Sequence, residues 1–313
     1  MTTVAVIGLG TMGAGIAATM ARAGVTVRAT DVRPEACDKA RSDLPAIAGV
    51  LDALGMPVKG DATSVTLCRT LAETVAGADM VLENVPEKLE LKLEVFKQID
   101  ALVGADCILA SDTSGIPITK LQSAVRHPRR MVGMHWSNPP HIIPMIEVIA
   151  GARTAPETAE WMMAFIRGLG LLPVRVARDV PGFVENRILY AIMREALDLV
   201  DSGVIGAEDL DTCVSWGIGY KLAVIGPMAL LDMAGLDIYQ SVASYLNETL
   251  STRSDVSPAI TDRTADGKLG IKSGAGMFDY GATDVAALRA ARARAFVAVR
   301  RALESNAIKE MPQ

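Results

Sequence analysis

A histidine and a glutamate twelve residues apart carry the first sign of chemistry in this chain. His135 follows an apolar run, Met131 to Met134, as a buried strand delivers a side chain to the edge of a sheet. Pro139 and Pro140 then interrupt regular structure, and a second β-rich run, Met145 to Ile149, carries Glu147. Strand, tight connection and strand would bring the two side chains together. A carboxylate on one imidazole nitrogen fixes the tautomer and strengthens the other nitrogen as a base near neutral pH. A lone pair of this kind is more often a satisfied histidine beside a solvated glutamate, so the surroundings must carry the case.

The surroundings begin at the N-terminus. Val4 to Ile7 is a short β-branched run, and Gly8-Leu9-Gly10-Thr11-Met12-Gly13 follows at once. Ile16, Ala17 and Met20 then recur at helical spacing until Gly24, Val25 to Thr30 reads as the next strand, and Asp31 closes it. Gly8 allows a tight turn, Gly10 lets the backbone approach a pyrophosphate, and Gly13 lets helix and strand pack closely. Thr11 and Met12 complete the loop, and the helix N-terminus offers free N–H groups to the phosphates. Asp31 is suited to accept hydrogen bonds from the adenosine ribose and to repel a 2′-phosphate, which favours NAD. Arg33 lies close enough to keep NADP open.

Further strands are expected over Ala78 to Val85 and Cys107 to Ser111. Between them a helix from Glu87 to Val103 has Leu91, Val95, Phe96, Ile99 and Leu102 on its apolar face. Asn84, Glu87, Ser114, His135 and Asn138 all fall at carboxyl ends of strands, where doubly wound sheets hold their ligands. Pro34 to Leu71 reads as a helical excursion broken by Pro45, Gly55, Pro57 and Gly60. After Leu172 to Val176 the strand signals stop. Helices are expected from Phe183 to Ser202, and near Ala207 to Trp216, Met228 to Ala234, Asp237 to Leu250 and Val285 to Leu303. The last carries the stripe Leu288, Ala291, Ala295, Val299 and Leu303, with Arg300 pointing elsewhere, and suits packing on its own domain or a second subunit. The expected class is α/β, a Rossmann-type doubly wound sheet over residues 1–178 followed by an all-α domain over 179–313.

Composition narrows the partners. With 313 residues, half of them hydrophobic, the chain can bury a large core and divide into about two domains. A net charge of -5, a pI near 5.4 and only 4% aromatic residues argue against nucleic acid or an anionic membrane as partner. Cys37, Cys68, Cys107 and Cys213 are widely spaced, without a CxxC pair or Cys/His cluster. That pattern suits a reducing cytoplasm and predicts neither structural metal nor disulfides. MTTVAVIGLG runs directly into a strand, so no signal peptide is expected.

Together these motifs resemble the 3-hydroxyacyl-CoA dehydrogenase superfamily over nearly the whole chain. The matching segments are GLGTMGAGIA at 8–17, ENVPEKLELK at 83–92, SDTSG at 111–115, HWSNP at 135–139 with Glu147, PGFVENR at 181–187 and GIKSGAGMFDY at 270–280. The resemblance implies that His135 is a general base oriented by Glu147, and that Ser114 and Asn186 hydrogen-bond the reacting oxygen. It implies that Asn138 places substrate and nicotinamide, that Glu87, Lys92 and Lys272 line the cofactor site, and that the helical domain builds a homodimer.

Two departures bear on substrate. The arm that in acyl-CoA users is rich in lysine here offers, over residues 35–66, only Lys39, Arg41 and Lys59 against Glu35, Asp38, Asp43, Asp52 and Asp61. In GIGYKLAVIGP, Lys221 stands where the family has proline, and it is the candidate partner for a substrate carboxylate. TSGIPIT and MHWSNPPHIIPMIEV resemble the branch that oxidises a pyridine aldehyde beside a carboxylate, with Trp136 and His141 as candidates to flank the ring. The expectation is an NAD-dependent dehydrogenase for a small carboxylate-bearing substrate. A 3-hydroxyacyl-CoA and L-gulonate are the alternatives.

Overall fold

The computed structural model describes residues 2–305, which divide into two compact units between Asn186 and Arg187. The first is built on β1 (Thr3–Ile7), β2 (Thr26–Thr30), β3 (Val65–Leu67), β4 (Met80–Glu83), β5 (Ile108–Ser111), β6 (Met131–Trp136), β7 (Met145–Ile149) and β8 (Leu172–Val176). These make one sheet in the order β3-β2-β1-β4-β5-β6-β7-β8. Every pairing is parallel except β6 with β7. The central strands β1, β4, β5 and β6 are buried almost throughout, as continuous apolar runs covered on both faces should be. Helices α1 (Gly13–Arg22), α2 (Pro34–Ala53), α3 (Leu71–Val75), α4 (Leu89–Leu102), α5 (Ile118–Leu121) and α6 (Pro156–Gly168) connect them.

The strand order reverses between β1 and β4, so their carboxyl ends open the crevice in which this fold holds a ligand. The turn after β1 needs its glycines. Gly8 has φ +103°, and a Cβ there would stand 2.6 Å from the Asn84 carbonyl oxygen. A Cβ on Gly13 would stand 2.1 Å from the Gly8 oxygen. Around Gly10 the space is open, as a loop that admits phosphate requires.

Several expectations are corrected here. Pro45 does not break the excursion: α2 runs unbroken through it for 20 residues. Pro45 and Arg41 are both exposed, so the carbonyl that the proline leaves without an N–H can meet water. A short edge strand, β3, follows, and its three residues are too few to show alternation. On α4 the buried face is Lys92, Phe96, Ile99 and Asp100, whereas Leu91 and Leu102 are exposed. The reason is polar: Lys92 meets Glu83, and Asp100 meets Arg126 and Arg130. Helix α6 had no counterpart in the periodicity reading.

α7 (Glu185–Asp201) leads into the second unit, whose helices are α8 (Ala207–Cys213), α9 (Tyr220–Val224), α10 (Pro227–Ala234), α11 (Leu236–Leu246), α12 (Pro258–Ala265) and α13 (Val285–Ser305). A π-helical stretch, Val214–Gly219, joins α8 to α9. On α13 the expected stripe is partly exposed: Ala291, Ala295 and Val299 face outward, while Arg300 is buried and pairs with Glu304. No single helix among the described residues is long and apolar enough to cross a membrane.

Gly13→Ala should lower the unfolding free energy by about 1–3 kcal/mol, the usual scale of overpacking, and should weaken NAD binding with it. Denaturant unfolding together with NAD titration checks this.

Candidate active site

β6 and β7 are the one antiparallel pair, and their register sets His135 directly opposite Glu147. Across that pair His135 Nδ1 and Glu147 Oε2 lie 2.7 Å apart, both side chains nearly fully buried. The other carboxylate oxygen, Glu147 Oε1, accepts the backbone N–H groups of Val184 (2.9 Å) and Glu185 (3.1 Å), where α7 begins. Burial alone would raise the Glu147 pKa, but the His135 bond and these N–H groups lower it. Burial alone would lower the His135 pKa. The Glu147 hydrogen bond, the charges of Glu147 and Glu185, and that of Asp112 when it is ionised overcome that and raise it above the ordinary histidine value of 6.5. With Glu147 holding the proton on Nδ1, Nε2 is left as the basic nitrogen.

Phe183 bears on the same imidazole. Its ring centroid is 5.9 Å from that of His135, it is fully buried, and it holds φ 50°, a left-handed backbone that few residues other than glycine adopt. Asp112, at the end of β5, accepts the Trp136 N–H at 2.8 Å, and burial pushes its carboxyl up to about 8.

The loop after β5 is held from below. Glu87 Oε1 accepts the Thr113 hydroxyl (2.6 Å) and the Ser114 and Gly115 N–H groups (both 3.1 Å). Ser114 is itself exposed, and its carbonyl accepts the Asn186 amide at 2.7 Å. Lys92 supports Glu87 at 3.4 Å but gives its shortest bond to buried Glu83, at 2.7 Å, and a further one to the Val85 carbonyl at 3.1 Å. The second Glu83 oxygen accepts the Ser111 hydroxyl at 2.6 Å. Lys92 is 1% exposed, so its place is beneath the site.

Asp31, at the end of β2, accepts the Leu9 N–H at 2.9 Å and pairs with Arg33 at 3.1 Å. Burial would raise its pKa, but the Arg33 and Leu9 hydrogen bonds lower it. Arg33 is thereby engaged by the aspartate, which disfavours a 2′-phosphate. The side chain of Asn84 is buried with neither polar atom hydrogen-bonded, at the strand end that touches Gly8. Buried amides are rarely left so, and a bound dinucleotide would satisfy it. Gly8, Gly10, Thr11, Met12, Gly13, Asp31 and Asn84 therefore fit a dinucleotide, its pyrophosphate at the α1 N-terminus.

Asn138 is exposed and precedes a cis Asn138–Pro139 bond. Trp136 is core, 2% exposed, and so unavailable to stack on a ligand. His141 lies beside α1, its Nδ1 2.9 Å from where a Cβ on Gly15 would stand. Lys221 on α9 and Lys272 on the turn Ile271–Ser273 belong to the second unit, and both are exposed.

Residues 3–180 match the family model of the 3-hydroxyacyl-CoA dehydrogenase NAD binding domain, and residues 182–280 match that of the C-terminal domain. The chain belongs to the 3-hydroxyacyl-CoA dehydrogenase family. As a member it is an NAD-dependent dehydrogenase. It is 62% identical over 305 residues to 5-formyl-3-hydroxy-2-methylpyridine 4-carboxylate 5-dehydrogenase of Mesorhizobium japonicum, covering 97% of this chain and 98% of that one. A crystal structure of an enzyme of that name, described as an NAD+-dependent dismutase, superposes with a TM-score of 0.95. It is 60% identical and covers 97% of this chain and 99% of that one. The (S)-3-hydroxybutyryl-CoA dehydrogenase of Ralstonia eutropha is more distant, with a TM-score of 0.72 and 32% identity over 90% of this chain and 99% of that one.

Asp112, Phe183, Glu185, Glu83 and Ser111 are residues of the site that residue-by-residue reading of the sequence does not single out. Asp112 and Ser111 stand inside SDTSG and Phe183 and Glu185 inside PGFVENR, so the motifs held the signal that single-residue reasoning passed over.

Lys92→Met should leave Glu83 buried without its cation and destabilise the fold by about 3–5 kcal/mol, measurable by urea unfolding.

Proposed function

We propose that this dehydrogenase oxidises 5-formyl-3-hydroxy-2-methylpyridine-4-carboxylate to the 5-carboxylic acid. The observation that carries the reading is the 62% identity to the Mesorhizobium japonicum enzyme over almost the whole of both chains. The charge of α2 and its continuation supports it against an acyl-CoA substrate. Lys39 pairs with Asp43, Arg41 pairs with Asp38, and Lys59 donates to the Gly168 carbonyl, so this arm offers CoA phosphates little net attraction.

In this reading His135 Nε2 takes the proton from water as its oxygen adds to the aldehyde carbon, or from a hydroxyl of the preformed hydrate. Glu147 holds the resulting imidazolium in place. Ser114 and Asn186 donate hydrogen bonds to the oxygen that becomes anionic. Bound NAD+ supplies the acceptor for the hydride that leaves the same carbon. The balance is aldehyde, water and NAD+ giving carboxylate, NADH and two protons. No thiol adduct is needed: Cys107 lies at the amino end of β5, away from the ligand-bearing ends, and burial pushes its thiol up to about 11.

Run in reverse, protonated His135 would give its proton to a second aldehyde as hydride returns to it, forming the alcohol. The proposal includes this dismutation, on the strength of the description of the related crystal structure. It also includes a homodimer formed through the second unit, where Trp216, Met228, Met233 and Tyr245 are each more than half exposed. It extends to a cytoplasmic location, for which the four unpaired cysteines argue.

With the pyridine aldehyde acid and catalytic NAD+, acid and alcohol should form in equal amounts, followed by chromatography. Turnover of (S)-3-hydroxybutyryl-CoA without turnover of the aldehyde would contradict the assignment. His135→Ala should cut turnover by at least about a hundredfold and leave NAD affinity nearly unchanged.

A further inference from the structure

A glutamate in the first turn of a helix ordinarily answers to the free N–H groups and dipole there. At the start of α7 that task belongs to another residue. Glu147 Oε1 takes the Val184 and Glu185 N–H groups. The Glu185 carboxylate is turned instead to the end of β6, where its Oε2 accepts the Ser137 hydroxyl at 2.6 Å. Ser137 is two residues beyond His135. Nitrogen or oxygen atoms of His135, Glu147 and Glu185 all lie within 4.8 Å of one another. Two carboxylates so close repel unless a positive charge stands between them, and the imidazole is the group placed to supply it.

We propose that Glu185 is a positioning residue for His135: its charge favours the imidazolium form, and its bond to Ser137 ties the start of α7 to the strand that carries the base. The charged groups facing His135 come from three elements. Glu147 comes from β7, Asp112 from the end of β5 and Glu185 from α7. Burial keeps Asp112 largely protonated below about pH 8, so near neutrality the two facing charges are Glu147 and Glu185. Phe183 covers the ring with apolar surface, which sharpens the effect of each.

The consequence rests on the dismutation reading. Oxidation needs His135 neutral, and reduction needs it protonated. A second carboxylate raises the proton affinity and with it the share of imidazolium, the form the reductive half needs. An imidazole held by Glu147 alone would favour oxidation and starve the reductive half.

The decisive variant is Glu185→Gln, which keeps an acceptor for Ser137 and removes the charge. The ascending limb of kcat/KM for oxidation should move to lower pH by roughly 0.5 to 1, and the descending limb of the reductive reaction should move with it. Glu185→Asp, which keeps the charge, should leave the limbs close to those of the parent. Ser137→Ala should lower kcat while leaving the limbs in place. NAD affinity, measured by fluorescence titration, should stay within about twofold in all three. The His135 titration read by 15N NMR in the NAD-free protein reports the same shift without any substrate, so failure of the substrate assignment is separable from failure of this proposal. Limbs and His135 titration unmoved in Glu185→Gln would overturn it, as would an equal shift in Ser137→Ala. A Glu185→Gln chain that does not fold while Glu185→Asp folds and titrates like the parent would leave the charge as the requirement and support it. A Glu185→Asp chain that titrates like the folded Gln variant would overturn it.

Discussion

One strand reversal governs this molecule. In an otherwise parallel sheet, β7 runs against β6, and the short connection between them sets His135 and Glu147 face to face in a ladder register. A one-residue slip would turn every side chain of β7 to the other face and leave a carboxylate and an imidazole buried apart. The register is protected by burial: Met134, Ile146, Val148 and Ile149 are all at most 1% exposed. Apolar packing thus secures a polar contact that would be costly if misaligned.

The remaining polar groups follow from that contact. Glu147 is stabilised as an anion by the α7 N–H groups, so the element that carries Asn186 is tied to the dyad by the same carboxylate. Asn186 in turn reaches the Ser114 carbonyl, and Ser114 hangs from Glu87, which stands on Lys92 and Glu83. Base, alkoxide donors and cofactor-side carboxylate are held by a chain of hydrogen bonds rooted in the sheet. Rigidity of this kind is what preorganised catalysis requires, because donors already in place cost no reorganisation when charge develops. On the other side, α1 meets the β6–β7 connection at Gly15, where Pro140 and His141 leave no room for a Cβ. The phosphate-binding helix and the catalytic connection are therefore positioned by direct packing.

What could be read from the sequence follows from how local each feature is. The nucleotide loop lies within one strand–turn–helix, and His135 and Glu147 are only twelve residues apart on consecutive strands, so residue order alone placed them. The partners that escaped notice come from farther away: Asp112 meets Trp136 across 24 residues, and Glu185 meets Ser137 across 48. No periodicity encodes such meetings, which depend on how β5 and β6 lie together and how α7 returns to the sheet. The burial of Lys92 is a related case, since its ion pair with Glu83 joins a helix to a strand and shows in no local pattern. Pro45 misled because its cost depends on whether the carbonyl it orphans meets water, which is a fact of tertiary structure.

The central claim is that Glu147 makes His135 a base at Nε2. The chain has three histidines, so 15N labelling of histidine, with His127→Gln and His141→Gln for assignment, resolves the site directly. The neutral imidazole should carry its proton on Nδ1 and should titrate above 6.5. A proton on Nε2, or a titration at or below 6.5, would contradict the account.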